Sequence, residues 1–263
     1  MLPGVRIATV DEVLARIEAH AAHEPGGAIV FDGDGTLWSG DVGEDFFEAL
    51  LEDGRITAIA HEALVREAEA ERLDASGTAI DVARRIHEAY LGGAFPEERV
   101  CEIMTWACAG WTREDLDGFA ERVLLELGLA ARLHGEAMRV VRWARSRDLP
   151  VFLVSASPRA IVEQAARLVG LDLACVASAT ERVDERGIVR AEVHRPIPYG
   201  GGKVTRLREK LGKRALYAAF GDNAFDVPML QEAKVPVAVR PKPRLVERAD
   251  EVPDLVTLEH RAS

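Results

Sequence analysis

The run Ala28-Ile29-Val30-Phe31 is unbroken apolar sequence, and it stops at two aspartates, Asp32 and Asp34. A short continuous apolar run bounded by turn residues predicts a strand buried on both faces. Pro25-Gly26-Gly27 precedes it and Gly33 and Gly35 follow, so the strand is expected over 28–32. Upstream, Thr9 and Glu12 have capping-box spacing, and Val13, Leu14 and Ile17 form the apolar stripe of a helix ending near His23.

Over 43–129 the pattern becomes helical. Phe46, Phe47, Leu50 and Leu51 share a helical face, and 62–73 is dense in alanine, glutamate and arginine. Further helices are expected over 76–90, closed by Leu91-Gly92-Gly93, over 96–108, and over 112–127 with Thr112 as its cap. No stretch here alternates as a strand does, so this region reads as a helical bundle set into another fold. Afterwards strand and helix alternate again. A helix over 135–147 precedes a strand over 150–154, and Pro158 suits the first position of the next helix, with a serine before it as cap. A strand over 173–177, a hairpin over 180–193, a helix starting near Lys203, and strands over 215–220 and 235–239 complete the series, the last being the expected final core strand. Such alternation implies an α/β fold with a parallel sheet covered by helices on both faces.

The chain has 263 residues, 48% of them hydrophobic and 29% charged, which suits one large domain or a core with a smaller second domain. A formal net charge of −11 excludes a nucleic-acid or anionic-membrane surface, and it means that an anionic substrate needs a locally positive site. Cys101, Cys108 and Cys175 form no C-x-x-C pair. Reduced thiols, with no long apolar run at the N-terminus, make the cytoplasm the expected compartment. The seven histidines include no H-E-x-x-H, and Gly200-Gly201-Gly202 lacks nucleotide-loop spacing.

Four pieces fall at expected strand ends or helix starts: Asp32 with Asp34, Ser155, Lys203, and Asp222 with Asp226. Residues i and i+2 of an extended segment point the same way, so Asp32 and Asp34 can face one space, where their charges need a cation. Several carboxylates make an oxygen-only site for a hard divalent ion such as magnesium. A serine hydroxyl, a helix N-terminus and a lysine add donors for phosphate oxygens. Trp38, Trp106 and Trp111 are compatible with an aromatic cage for a quaternary amine, although core packing explains them more simply.

These motifs, in this order, resemble the haloacid dehalogenase-like (HAD) superfamily. Phe31-Asp32-Gly33-Asp34-Gly35-Thr36-Leu37 matches its D-x-D-G-T-L motif. Val154-Ser155-Ala156-Ser157-Pro158, Lys203, and Gly221-Asp222-Asn223-Ala224-Phe225-Asp226 match the other three. The resemblance implies a Rossmann-like core with a helical C1 cap between the first two motifs: core over 1–40, cap over 41–131, core again over 132–263. It implies Asp32 as nucleophile forming an aspartyl-phosphate, Asp34 as general acid/base, Ser155 with Ala156 at the phosphate, and Lys203 bridging nucleophile and phosphate. Magnesium is expected at Asp32, Asp222 and the main-chain carbonyl of Asp34, with Asp226 supporting it. The serine-rich second motif and helical cap look most like the phosphoserine phosphatase branch. Two positions differ from that branch: the second motif is not Ser-Gly-Gly, and Phe225 stands where asparagine is usual. Asp41, nine residues after Asp32, falls where that branch contacts the substrate amine. The expected activity is hydrolysis of a small phosphorylated metabolite, phosphoserine first and phosphocholine or phosphoethanolamine second. A phosphotransferase and a non-catalytic phosphate-binding module are the alternatives.

Overall fold

A computed structural model describes residues 5–260; residues 1–4 and 261–263, which the expected core halves include, lie outside the described residues. The chain begins with strand β1 (Arg6–Ala8), helix α1 (Val10–His23) and strand β2 (Ala28–Phe31). Thr9 and Glu12 close the capping box on α1 reciprocally, as their spacing predicts. The helical segment follows as α2 (Val42–Glu52), α3 (His61–Ala70), α4 (Ala79–Leu91), α5 (Glu97–Trp106) and α6 (Arg113–Leu127). Helix α7 (Gly135–Arg145) leads into β3 (Val151–Pro158), α8 (Arg159–Leu168), β4 (Val176–Ala179) and the hairpin strands β5 (Glu181–Val183) and β6 (Val189–Val193). The remainder is α9 (Gly201–Leu211), β7 (Leu216–Gly221), α10 (Val227–Gln231), β8 (Val235–Ala238), α11 (Pro243–Glu247) and β9 (Val256–Leu258). Among the described residues no helix is long and apolar enough to cross a membrane.

Seven strands form one sheet in the order β1-β9-β8-β7-β2-β3-β4, every pair parallel. This is the Rossmann-like α/β core with its helical insert. All four residues of β2 are fully buried, because helices cover both faces of the sheet. Ile29 and Phe31 join one apolar cluster while Ala28 and Val30 join the other, as a period of two requires. On the first face Phe31 stacks on its register partner Phe220, the rings 4.2 Å apart. The chain passes from β2 to β3 on one side and later returns to β7 on the other. The carboxyl end of β2 is therefore the point where strand order reverses, and there two neighbouring loops part to leave a crevice.

The structure departs from the expected elements in three places. Residues 173–175 form a turn of 3₁₀-helix, because the Asp172 carboxylate accepts the Ala174 N–H at 2.9 Å; the strand starts only at Val176. Strand β3 runs on to Pro158, so this proline ends the strand, and no serine hydroxyl caps α8. Val235–Ala238 is not the last core strand, since β9 pairs with β8 and adds β1 beyond it. These are three-residue strands, too short to show a period. The hairpin forms where it is expected and lies against the helical insert: Gly110 N–H donates to the Val189 carbonyl, and Val189 N–H to that of Trp111, both at 2.8 Å.

Candidate active site

The loop after β2 is tightly wound. Thr36 and Leu37 N–H groups donate back to the Gly33 carbonyl, and Gly35 N–H donates to that of Trp38. Gly35 has φ +80°, and a Cβ there would lie 2.1 Å from Asp222 Oδ2, so both conformation and proximity demand glycine. Buried His134 fastens the turn from outside, its N–H donating to the Leu37 carbonyl and its Nδ1 lying 3.0 Å from that of Thr36.

Asp32 follows the strand directly, and its N–H continues the ladder to the Phe220 carbonyl. Its Oδ1 lies 2.5 Å from Lys203 Nζ, which reaches Asp226 Oδ1 at the same distance. Lys203 rises from the first turn of α9 and is fully buried. Burial opposes its charge, but Asp226 and Asp32 outweigh this and hold its pKa above the ordinary lysine value. Both Asp226 oxygens are committed, since Oδ2 accepts the N–H groups of Asp222 and Asn223 at 3.0 Å. Asp222 is buried too, its pKa pushed up to about 6 by burial and by Asp226. Its Oδ2 is ion-paired at 3.0 Å with the Lys242 ammonium, whose side chain is half exposed.

Ligand oxygens of Asp32, Asp222 and Asp226 lie within 4.8 Å of one another. Three buried carboxylates thus face one buried ammonium. Burial first, and then Asp226 and Asp222, raise the Asp32 pKa well above the usual carboxylate range despite Lys203. A divalent cation here would relieve that repulsion, with Asp222 Oδ2 as a donor whose present partner, Lys242, comes from the half-exposed side. The residues fit a hard divalent ion.

Asp34 is held quite differently. Its Oδ1 accepts Trp38 Nε1–H at 2.8 Å and Val42 N–H at 2.7 Å, while its Oδ2 accepts the Ser157 hydroxyl at 2.7 Å. Ser155 Oγ stands 3.4 Å from the same oxygen and accepts the Ser157 N–H. The Asp34 carboxylate is therefore committed to protein donors and is not part of the three-aspartate group. Ser157, expected as a helix cap, orients Asp34 instead. Thr36 is a buried hydroxyl 3.4 Å from Asp32 and 3.5 Å from Asp222, in keeping with a structural role.

Part of this group lines a cavity of about 300 Å³ between the sheet end and the helical segment. Asp32, Asp34, Ser155 and Ala156 line its inner end; Asp41, Glu44, Tyr90, Glu97, Tyr199 and Phe225 line the outer part. Asp41 is there as its position suggests, but it also caps α2, its Oδ1 accepting the Gly43 and Glu44 N–H groups at 2.9 Å. Burial, and then Asp34, push its pKa well above the carboxylate range. Trp38, Trp106 and Trp111 are buried and none lines the cavity, so packing accounts for all three. Sequence reasoning missed Trp38 as an Asp34 donor, although its i+4 spacing was a visible hint. Glu44, Tyr90 and Lys242 carried no signal, because nothing in their local sequence points toward Asp32.

The profile of the haloacid dehalogenase-like hydrolases matches residues 29–231, which is most of the chain. The chain belongs to this family. No curated protein matches it. Among solved structures, a protein of unknown function from Bordetella pertussis Tohama I aligns with a TM-score of 0.68 at 22% identity, over 88% of this chain and 97% of that one. A functionally unknown protein from Anaerococcus prevotii aligns at 0.66 with 16% identity, over 93% and 90%. A substrate-bound phosphoserine phosphatase aligns at 0.52 with 16% identity, over 89% and 93%. At these identities the likeness is one of fold. The matched profile spans all four motifs, so Asp32, Ser155, Lys203 and Asp222 stand within the hydrolase frame.

Proposed function

We propose that this HAD-family hydrolase is a magnesium-dependent phosphomonoesterase that cleaves a small phosphorylated metabolite through an aspartyl-phosphate on Asp32. The observation that carries this reading is the pairing of two differently held carboxylates at one cavity floor. Asp32 faces Lys203 and the carboxylate group, while Asp34, two residues on, is clamped by Trp38, Val42 and Ser157. Neighbouring carboxylates in unlike environments suit a nucleophile and an acid/base. Solved phosphoserine phosphatases, one with substrate bound and one an analogue of a phospho-aspartyl intermediate, support the same reaction class.

In this reading an Asp32 oxygen attacks phosphorus and the bond to the leaving alkoxide breaks, with Asp34 delivering the proton that the alkoxide needs. Water then attacks the aspartyl-phosphate, Asp34 takes its proton, and the bond from phosphorus to Asp32 breaks to release inorganic phosphate. Ser155, Ala156 and Lys203 receive the phosphate oxygens, and Lys203 keeps its charge because two carboxylates flank it. Asp32 and Asp222 would hold the magnesium with the main-chain carbonyl of Asp34, while Asp226 sets Asp222 through its backbone. When bound, the ion supplies positive charge that lets a dianionic phosphate approach an anionic floor.

Hydrolysis of p-nitrophenyl phosphate with and without magnesium tests the proposal. Metal-dependent phosphate release is expected, and its absence would leave a phosphate-binding module. Transfer to an added alcohol in preference to water would make the protein a phosphotransferase. For the substrate, phosphoserine leads the sequence expectations, and Asp41 in the cavity supports an amine on the ester.

A further inference from the structure

The cavity that holds the phosphate site continues outward, and its outer part carries charge of one sign. Of the three carboxylates there, only Glu97 has an ion-pair partner among the described residues, Arg244 at 3.3 Å. Asp41 is satisfied by two N–H groups and Glu44 by the Tyr90 hydroxyl at 2.6 Å, which orient both carboxylates without neutralising them. Lys242 is the one basic residue among the described lining residues, and its ammonium sits beside Asp222 at the inner end. Burial, with Asp41 and Glu44 beside them, raises the pKa of the Tyr90 phenol and the Cys101 thiol.

From this charge map we propose that the hydrolysed ester is a phosphorylated amino alcohol with no carboxylate, its ammonium held between Asp41 and Glu44 beside the Tyr90 and Tyr199 rings. The inference rests on the phosphatase reading and narrows its substrate. An ammonium gives Asp41 and Glu44 the cation they lack, and charge-assisted contacts in a closed site are strong. A carboxylate on the same substrate would meet these anions, and the one basic lining residue, Lys242, is already paired with Asp222 at the inner end, which counts against phosphoserine. Such like-charge juxtaposition is a means of rejecting wrong ligands. Tyr199 and Phe225, their rings 5.0 Å apart, supply aromatic wall beside these carboxylates. Aromatic surface suits primary and quaternary ammonium groups alike. At about 300 Å³ the cavity is at the small end for ligand sites, which suits a small ester.

The test compares kcat/KM of the full chain with magnesium on ethanolamine phosphate, choline phosphate, O-phosphoserine, glycerol 3-phosphate and p-nitrophenyl phosphate. The better amino-alcohol phosphate is expected to exceed both phosphoserine and glycerol phosphate by about tenfold or more, the size of one charge-assisted contact. Glu44→Gln and Asp41→Asn are expected to shrink the ratio of amino-alcohol phosphate to glycerol phosphate. Asparagine caps helices as well as aspartate does, and a ratio taken within one preparation cancels any loss of folded enzyme. Phosphoserine or glycerol phosphate hydrolysed as well as the amino-alcohol esters, with p-nitrophenyl phosphate turned over, would overturn the substrate proposal alone. Ratios unmoved in both variants would overturn the role of the two carboxylates. Failure to hydrolyse any ester, p-nitrophenyl phosphate included, would overturn the phosphatase reading beneath it.

Discussion

At the inner end of the cavity Lys203 lies 2.5 Å from both Asp32 and Asp226, whereas at the outer end Asp41 and Glu44 have no ion pair among the described residues. Both ends are acidic, yet Asp32 and Asp226 have their counter-charge built in while Asp41 and Glu44 do not. Asp226 is held by two backbone N–H groups, Lys203 by two carboxylates, and Asp34 by an indole, an amide and a hydroxyl. Such a network is built before any ligand arrives, as stabilisation of a developing charge requires. The outer end is left to be completed by whatever enters. In the proposed function, the difference separates a part that does chemistry on the phosphate from a part that selects the rest of the ester.

The largest effect is expected from Asp32→Asn, which replaces the attacking oxygen and should lower kcat by about 10⁴-fold or more. The same change removes a charge that burial disfavours, so stability in chelator should hold or rise; a variant that unfolds would contradict the picture of an overcrowded inner end. Asp34→Asn keeps most of the shape but cannot shuttle a proton. It should slow both half-reactions by about 10²–10⁴-fold, seen as loss of burst and steady-state rates alike, and a near-wild-type rate across pH would remove Asp34 from that role.

Stability compares the two ends directly. Lys203→Met strips the shared cation from Asp32 and Asp226 and should cost about 3–5 kcal/mol in chelator, measured by urea unfolding. Glu44→Gln removes a charge without a cationic partner and keeps an acceptor for Tyr90, so its change should stay within about 1 kcal/mol. Equal losses for the two variants would erase the contrast.

The smallest effect concerns His134, which braces the loop. Burial lowers its folded-state pKa below 6.5, against the hydrogen bond to the Thr36 carbonyl. The unfolded chain then binds the proton more readily, so the associated stability is present above pH 6.5 and lost as pH falls through that value. Relative to the wild type, His134→Asn should flatten the stability profile between pH 5 and 7.5 by at most about 1 kcal/mol. Parallel urea midpoints across that range would exclude the effect.

Much of this molecule is legible in its residue order. The apolar run 28–31, its stop at Asp32, and the capping pair Thr9 and Glu12 are local facts, and local physics reads them. The same holds for the switch to helical spacing over 43–129 and for the hairpin over 180–193. The four motifs at strand ends and helix starts converge because a parallel sheet puts those ends on one side. What failed was also local in cause. Asp172 turned an expected strand into a 3₁₀ turn, and β1 and β9 are too short to announce themselves.

Residue order by itself determined the α/β alternation, the helical insert and the set Asp32, Asp34, Ser155, Lys203, Asp222 and Asp226, because strand and helix periods and turn residues act over a few positions. Tertiary structure alone decided what each carboxylate does. Asp226 is saturated by donors from its own loop and α9, Asp222 pairs with Lys242, and Asp34 is turned toward Trp38 and Ser157. It also decided that Glu44 and Tyr90, 46 residues apart, share a hydrogen bond at the cavity wall. Burial and charge add up over everything within a few ångströms, and a carboxylate has no role until the fold has chosen its neighbours.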